Sequence, residues 1–164
     1  MSKKSLVLFY SWSGNTRRIA RIIAQKTGAD LRELQPETAY PQNYDAVLSQ
    51  SKEQIQRKQY PSLRPIDMDW SAYEVIYLGT PNWWSTAAPP VTAFLREVMP
   101  TDKTIMPFCT HGGGGEGEIA HVIRSYCIVC DVKPLLSIQA DGGMKAEHLV
   151  EQWLGRFRPR LAVS

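Results

Sequence analysis

Continuous apolar runs alternate with helical repeats along most of the chain. Leu6-Val7-Leu8-Phe9-Tyr10 is apolar throughout, as a strand buried on both faces should be. From Arg17 to Thr27, Ile19, Ala20, Ile22, Ile23 and Ala24 recur at helical spacing, and Gly28 is a natural C-terminal cap. Leu31 to Leu34 is short and mixed, like an edge strand. Val75-Ile76-Tyr77-Leu78 is a clean central strand. Pro90 suits the first turn of a helix that carries Val91, Phe94, Leu95 and Val98 on one face and stops at Pro100. Thr104 to Cys109 is a further central run. Ile119, Val122, Ile123, Tyr126, Cys127 and Cys130 fall on one helical stripe. Val132 to Ile138 predicts a fifth strand, placed at an edge by Pro134. Ala146, Leu149, Val150, Trp153, Leu154 and Phe157 form a last amphipathic helix before Pro159.

Strand and helix in alternation predict an α/β domain with a five-stranded parallel sheet and helices on both faces. Two features resist the scheme. Pro107 would remove a ladder hydrogen bond from a central strand, so a local bulge is expected there. The polar stretch from Pro36 to Trp70 is long. It has a weak helical pattern from Asn43 to Lys58, then Pro61 and Pro65. Such an excursion is either a binding flap or a solvated connection.

The 164 residues suit one domain, taken here as 1–164, large enough for a core without disulfides. Cys109, Cys127 and Cys130 make an odd count, against a disulfide framework. No apolar run reaches the ~18 residues of a membrane span. Ser5 to Tyr10 is too short for a secretory core segment, so a cytoplasmic protein is expected. Net charge is +3, and the bias sits at the start, where residues 1–36 hold seven basic and two acidic side chains. That is not the dense basic stripe of a nucleic-acid module.

Three unusual segments follow the predicted central strands. Ser11-Trp12-Ser13-Gly14-Asn15-Thr16 opens the first helix. Hydroxyls, free backbone N–H groups and a helix dipole converge there, which is what a phosphate needs, although a well-capped turn has the same composition. The lysine of a P-loop is missing, which excludes nucleoside triphosphate hydrolysis of that type. Gly79-Thr80-Pro81-Asn82-Trp83-Trp84 places two tryptophans after the next strand, either as core or as a stacking face for a flat ring. Cys109-Thr110-His111-Gly112-Gly113-Gly114-Gly115-Glu116-Gly117 brings backbone without side chains, either to lie against a ligand or to flex. In a sheet ordered 2-1-3-4-5 these three segments meet at the topological switch point. The ligand implied has a phosphate and a large flat ring.

Ser11-x-Ser13-Gly14-Asn15-Thr16 resembles the FMN-phosphate loop of flavodoxins. Gly79-Thr80-Pro81-Asn82-Trp83-Trp84 and Pro107-Phe108-Cys109-Thr110-His111-Gly112-Gly113 resemble the two isoalloxazine loops of the flavodoxin-like family, short-chain type, and the resemblance covers nearly the whole chain. The resemblance implies a three-layer flavodoxin-like sandwich with non-covalent FMN. Ser11, Ser13, Asn15 and Thr16 would hold the phosphate, with Trp12 and Gly14 in the same loop. Thr80, Pro81 and Asn82 would contact the ring, Trp83 or Trp84 would lie against it, and Thr110, His111, Gly112 and Gly113 would meet its other parts. The implied function is electron transfer through FMN. The alternative is an NAD(P)H-dependent FMN oxidoreductase, since Pro81-x-Trp83-Trp84 is also similar to a segment of flavin-dependent quinone reductases. A third possibility is a flavin-free interaction domain of the same fold. Expected partners are redox proteins or a small electron acceptor, with NAD(P)H as a candidate donor. No membrane is expected, and the chain is expected as a monomer or weak dimer.

Other chemistries are excluded. A phosphatase of similar fold needs C-x5-R, but the sixth residues after the three cysteines are Gly115, Lys133 and Leu136. A phospho-acceptor receiver needs acids at the strand ends, where this chain has Tyr10 and Ser11. His111, His121 and His148 show no metal-ligand spacing. Cys127-x-x-Cys130 is expected as buried packing on a helix rather than a redox pair.

Overall fold

The computed structural model describes residues 3–161. β1 (Lys4–Phe9) leads to α1 (Asn15–Thr27), whose αL cap at Gly28 returns its N–H to the Ala24 carbonyl. β2 (Asp30–Glu33) and α2 (Tyr44–Arg57) follow. Next come β3 (Tyr73–Trp83), β4 (Thr86–Ala87), α3 (Pro89–Val98) and β5 (Thr104–His111). α4 (Ile119–Tyr126), β6 (Asp131–Val132), β7 (Leu136–Gln139) and α5 (Ala146–Phe157) are the last of the strands and α-helices among the described residues.

The sheet runs β2-β1-β3-β5-β6, with β7 also on β5, and these pairs are parallel. This is the expected 2-1-3-4-5 order, drawn with seven strands instead of five. The predicted fifth strand is cut into β6 and β7 around Pro134, which has no N–H to donate. The remaining strand is β4, a two-residue antiparallel return onto the end of β3.

Strand alternation sorts the core into two layers. Leu6, Leu8, Ile76, Leu78 and Ile105 meet Val91, Phe94 and Leu95 of α3 and Ile119 and Ile123 of α4. Val7, Phe9, Val75, Tyr77 and Met106 meet Ile19 and Ile23 of α1 and Val150 and Trp153 of α5. No helix among the described residues is long and apolar enough to cross a membrane.

Two sequence expectations are corrected here. There is no bulge at Pro107, because β5 keeps an unbroken register against β3 from Val75–Thr104 to Pro81–Thr110. Lys133 N–H donates to the Ile105 carbonyl and Ala140 N–H to that of His111, so odd-numbered residues of β5 turn their backbone groups to the β6–β7 side. The donor Pro107 lacks would therefore have faced the gap between β6 and β7. The cysteine stripe is also shorter than its spacing suggests. α4 ends at Tyr126, Cys127 is its C-cap, and Cys130 lies in the following turn with its Sγ on the Pro100 carbonyl at 3.2 Å.

Candidate cofactor cleft

Ser11 lies two residues past the end of β1. It is buried, and its Oγ accepts from the N–H groups of Gly14 (3.1 Å) and Arg17 (3.2 Å), which shapes the first turn of α1. That first turn carries no acidic residue, so nothing covalently attached neutralises its positive end. Arg17 forks onto Glu33 through Nε and Nη2 at 2.8 and 2.7 Å, while its Nη1 lies beside Gly14, 3.6 Å from where a Cβ would stand. Arg18 donates to carbonyls of Asp141 and Gly143. An anion in this loop would meet neutral donors, with one guanidinium nitrogen of Arg17 beside Gly14.

The second segment is strand where a loop was expected. Gly79 to Pro81 stay in register with Phe108 to Thr110, and β3 then folds back through Trp84 and Ser85 onto Thr86 and Ala87. Both turn residues have positive φ, 57° and 63°, at a two-residue hairpin that ordinarily takes Asn-Gly. The arm is held on each side. Trp84 Nε1–H donates to the Leu48 carbonyl (3.1 Å) and Ser51 Oγ (3.2 Å) of α2, and Lys52 Nζ stands 5.0 Å from its ring. Glu118 N–H donates to the Ser85 carbonyl at 2.6 Å. Gly117 makes that contact possible, since a Cβ there would lie 2.6 Å from the Ser85 oxygen.

Loop three is tied into both neighbours. The Thr110 and Thr16 hydroxyls share a buried 2.8 Å hydrogen bond. Nδ1 of His111 accepts from Gly113 N–H (3.0 Å) and Gly115 N–H (3.2 Å). Asn82 Nδ2 donates to the Gly115 carbonyl at 2.7 Å.

A cleft of about 540 Å3 opens where the three segments meet, within the range of small-molecule sites. Ten of the predicted residues line it: Trp12, Ser13 and Asn15; Pro81, Asn82, Trp83 and Trp84; Thr110, His111 and Gly112. Five do not. Ser11, Thr16 and Thr80 are buried, and each hydroxyl is bonded within the protein, Thr80 Oγ1 to Ala88 N–H and the Pro81 carbonyl. Gly14 lines a neighbouring groove, and Gly113 spends its N–H on His111. The sequence reading missed the opposite wall, Tyr44, Val47, Leu48 and Ser51 of α2, and Ala140 after β7. The amphipathic pattern from Asn43 to Lys58 was the available signal. A larger groove of about 790 Å3 runs along α1 beside Arg17, Arg18 and Arg21 and touches the predicted segments only at Gly14.

Trp83 is packed edge-on against Tyr10 (5.6 Å) and Tyr40 (5.2 Å). Trp12 Nε1–H donates to the Pro41 carbonyl at 3.0 Å. One buried acceptor beside the cleft, Asn82 Oδ1, has no hydrogen-bond partner. None of the lining residues is acidic. The thiols are not poised for attack: burial pushes Cys109 up to about 11 and Cys127 up to about 12.

The flavodoxin family model matches residues 4–156. A flavoprotein of Lactobacillus acidophilus, solved in complex with FMN, is similar at 23% identity and TM-score 0.74, over 92% of this chain and 98% of that one. A Bacteroides eggerthii protein assigned as a flavoprotein is similar at 24% identity and TM-score 0.82, over 98% of this chain and 100% of that one. An uncharacterized protein of Archaeoglobus fulgidus is 29% identical over 126 residues, 76% of this chain and 77% of its own.

Proposed function

The chain belongs to the flavodoxin family, and from that premise we propose that it binds FMN non-covalently in the cleft and transfers electrons through it. The convergence of loop one, the β3–β4 arm and loop three on one cleft at the switch point carries the reading. The residues present fit the cofactor. The phosphate would sit in loop one, where Ser13, Asn15 and the N-terminus of α1 supply neutral donors and helix charge. The aromatic walls from Trp12, Trp83, Trp84 and Tyr44 suit a flat ring. Asn82 Oδ1 is an acceptor in want of an N–H, which a flavin ring edge carries. When bound, FMN supplies the redox chemistry; the chain orients it, limits water around it and sets its electrostatic surroundings.

The test is reconstitution. Purified protein titrated with FMN should retain flavin absorbance through gel filtration, and a protein left colourless refutes the reading. Anaerobic mixing with NADPH then separates the two redox roles. A carrier shows no rapid bleaching, whereas prompt loss of the oxidised band assigns the NAD(P)H-dependent oxidoreductase instead.

A further inference from the structure

Gly115 is gripped at both ends of its backbone. His111 Nδ1 takes its N–H, along with that of Gly113, and Asn82 Nδ2 donates to its carbonyl. One glycine thus fastens the end of β5 to the end of β3, on either side of the cleft. An imidazole nitrogen accepts a hydrogen bond only through a free lone pair, so with Nδ1 engaged twice, neutral His111 carries its proton on Nε2. Adding a second proton places hydrogen on Nδ1. Both backbone donors then face a donor, and the loop must leave the shape it has here.

We propose that His111 is a positioning residue for the cofactor: its unprotonated Nδ1 folds the Gly112–Gly117 loop into its binding shape, and protonation releases the loop and weakens FMN binding. This rests on the FMN reading. His111 is partly buried and lines the cleft, so the switch sits at the site. The cleft lining holds no aspartate, glutamate, lysine or arginine. The ionisable groups on the surrounding elements are Glu116 and Glu118 in the same connection, Asp141 at the turn after β7 with Arg18 of α1 donating to its carbonyl, and Tyr44 and Lys52 on α2. The sign follows from linkage. FMN selects the unprotonated imidazole, so affinity falls as His111 takes up its second proton.

Asparagine and glutamine separate the two ring nitrogens. His111→Asn keeps an acceptor near the Nδ1 position and cannot titrate; His111→Gln keeps a polar group near the Nε2 position and loses the Nδ1 acceptor. Apoprotein of each variant is titrated with FMN from about pH 8 to about pH 5, followed by tryptophan fluorescence. Wild-type affinity should fall about tenfold across that range, as expected for loss of two backbone hydrogen bonds. His111→Asn should stay within about threefold of wild type at the upper end and show a clearly smaller fall with pH, the remainder coming from the cofactor's own phosphate, which takes up a proton near pH ~6. His111→Gln should bind about tenfold more weakly throughout. Nitrogen NMR of the wild-type apoprotein should show the Nε2–H tautomer. Equal binding by the two variants, a pH profile undiminished in His111→Asn, or an Nδ1–H tautomer overturns the proposal while leaving FMN binding intact. A wild-type protein that takes up no FMN at any pH overturns both.

Discussion

Trp83 and Trp84 are neighbours in the chain and have different surroundings. Trp83 closes a cluster with Tyr10 and Tyr40, whereas Trp84 is 45% exposed and hangs from α2 by its indole N–H. Trp83→Ala should therefore destabilise the fold by about 3 kcal/mol, read from a denaturant midpoint, as large-to-small changes in packed aromatic clusters do. Trp84→Ala should leave the midpoint within about 1 kcal/mol and weaken FMN binding by about 1–3 kcal/mol, the scale of aromatic stacking on a base. The reverse pattern would move the stacking role to Trp83. The sequence made the pair conspicuous but could not divide the labour, because that depends on Tyr40 and Leu48, brought in from the long excursion. The thiols follow the same logic of place. Cys109 and Cys127 are buried and Cys130 is half-buried, so one thiol of three should react with a disulfide reagent in the native protein and three after unfolding.

At the scale of elements, the β3–β4 arm departs most from expectation. Gly79, Pro81 and Asn82 are poor strand residues, and local propensity stops the strand at Leu78. Pairing with β5 overrides it, and Thr80 and Asn82 lock the arm through Ala88 and Gly115. The turn at its tip stores backbone strain in Trp84 and Ser85. Ser85→Gly should raise stability by about 1 kcal/mol, since glycine takes positive φ without a Cβ clash. A lowered midpoint would show that the Ser85 side chain has a role beyond its backbone. The central strands and α1, α3 and α5 were legible because their apolar spacing is strong and their ends are marked by glycine or proline. α4 was overrun for the opposite reason. Apolar spacing continues into Cys130, but Ile128 and Val129 turn outward, 83% and 59% exposed, where the chain leaves the helix to start β6.

For the whole molecule, the parallel sheet with helices on both faces was readable from alternation, and its strand order came with the flavodoxin-like resemblance, while one side of the cleft was not readable. α2 buries only Val47 and Ser51, so its place over the cleft owes much to the indole bonds of Trp84 to Leu48 and Ser51, with Trp12 holding the preceding Pro41 carbonyl. A weakly periodic polar helix gives little sign of the surface it will cover. Hydrogen exchange should find α2 opening more readily than β1, β3 and β5 in the apoprotein, and slowed when FMN is bound. Equal protection of α2 and the central strands would mean that it is an integral part of the core. Pro107 in β5 and Pro134 between β6 and β7 have a consequence for life at high concentration. Pro107 withholds a donor just where Pro134 breaks the outermost ribbon into pieces of two and four residues. A neighbouring molecule seeking to extend the sheet finds no uninterrupted template on that flank, and the opposite flank, β2, is itself four residues long. Such blunted margins guard against fibrillar stacking.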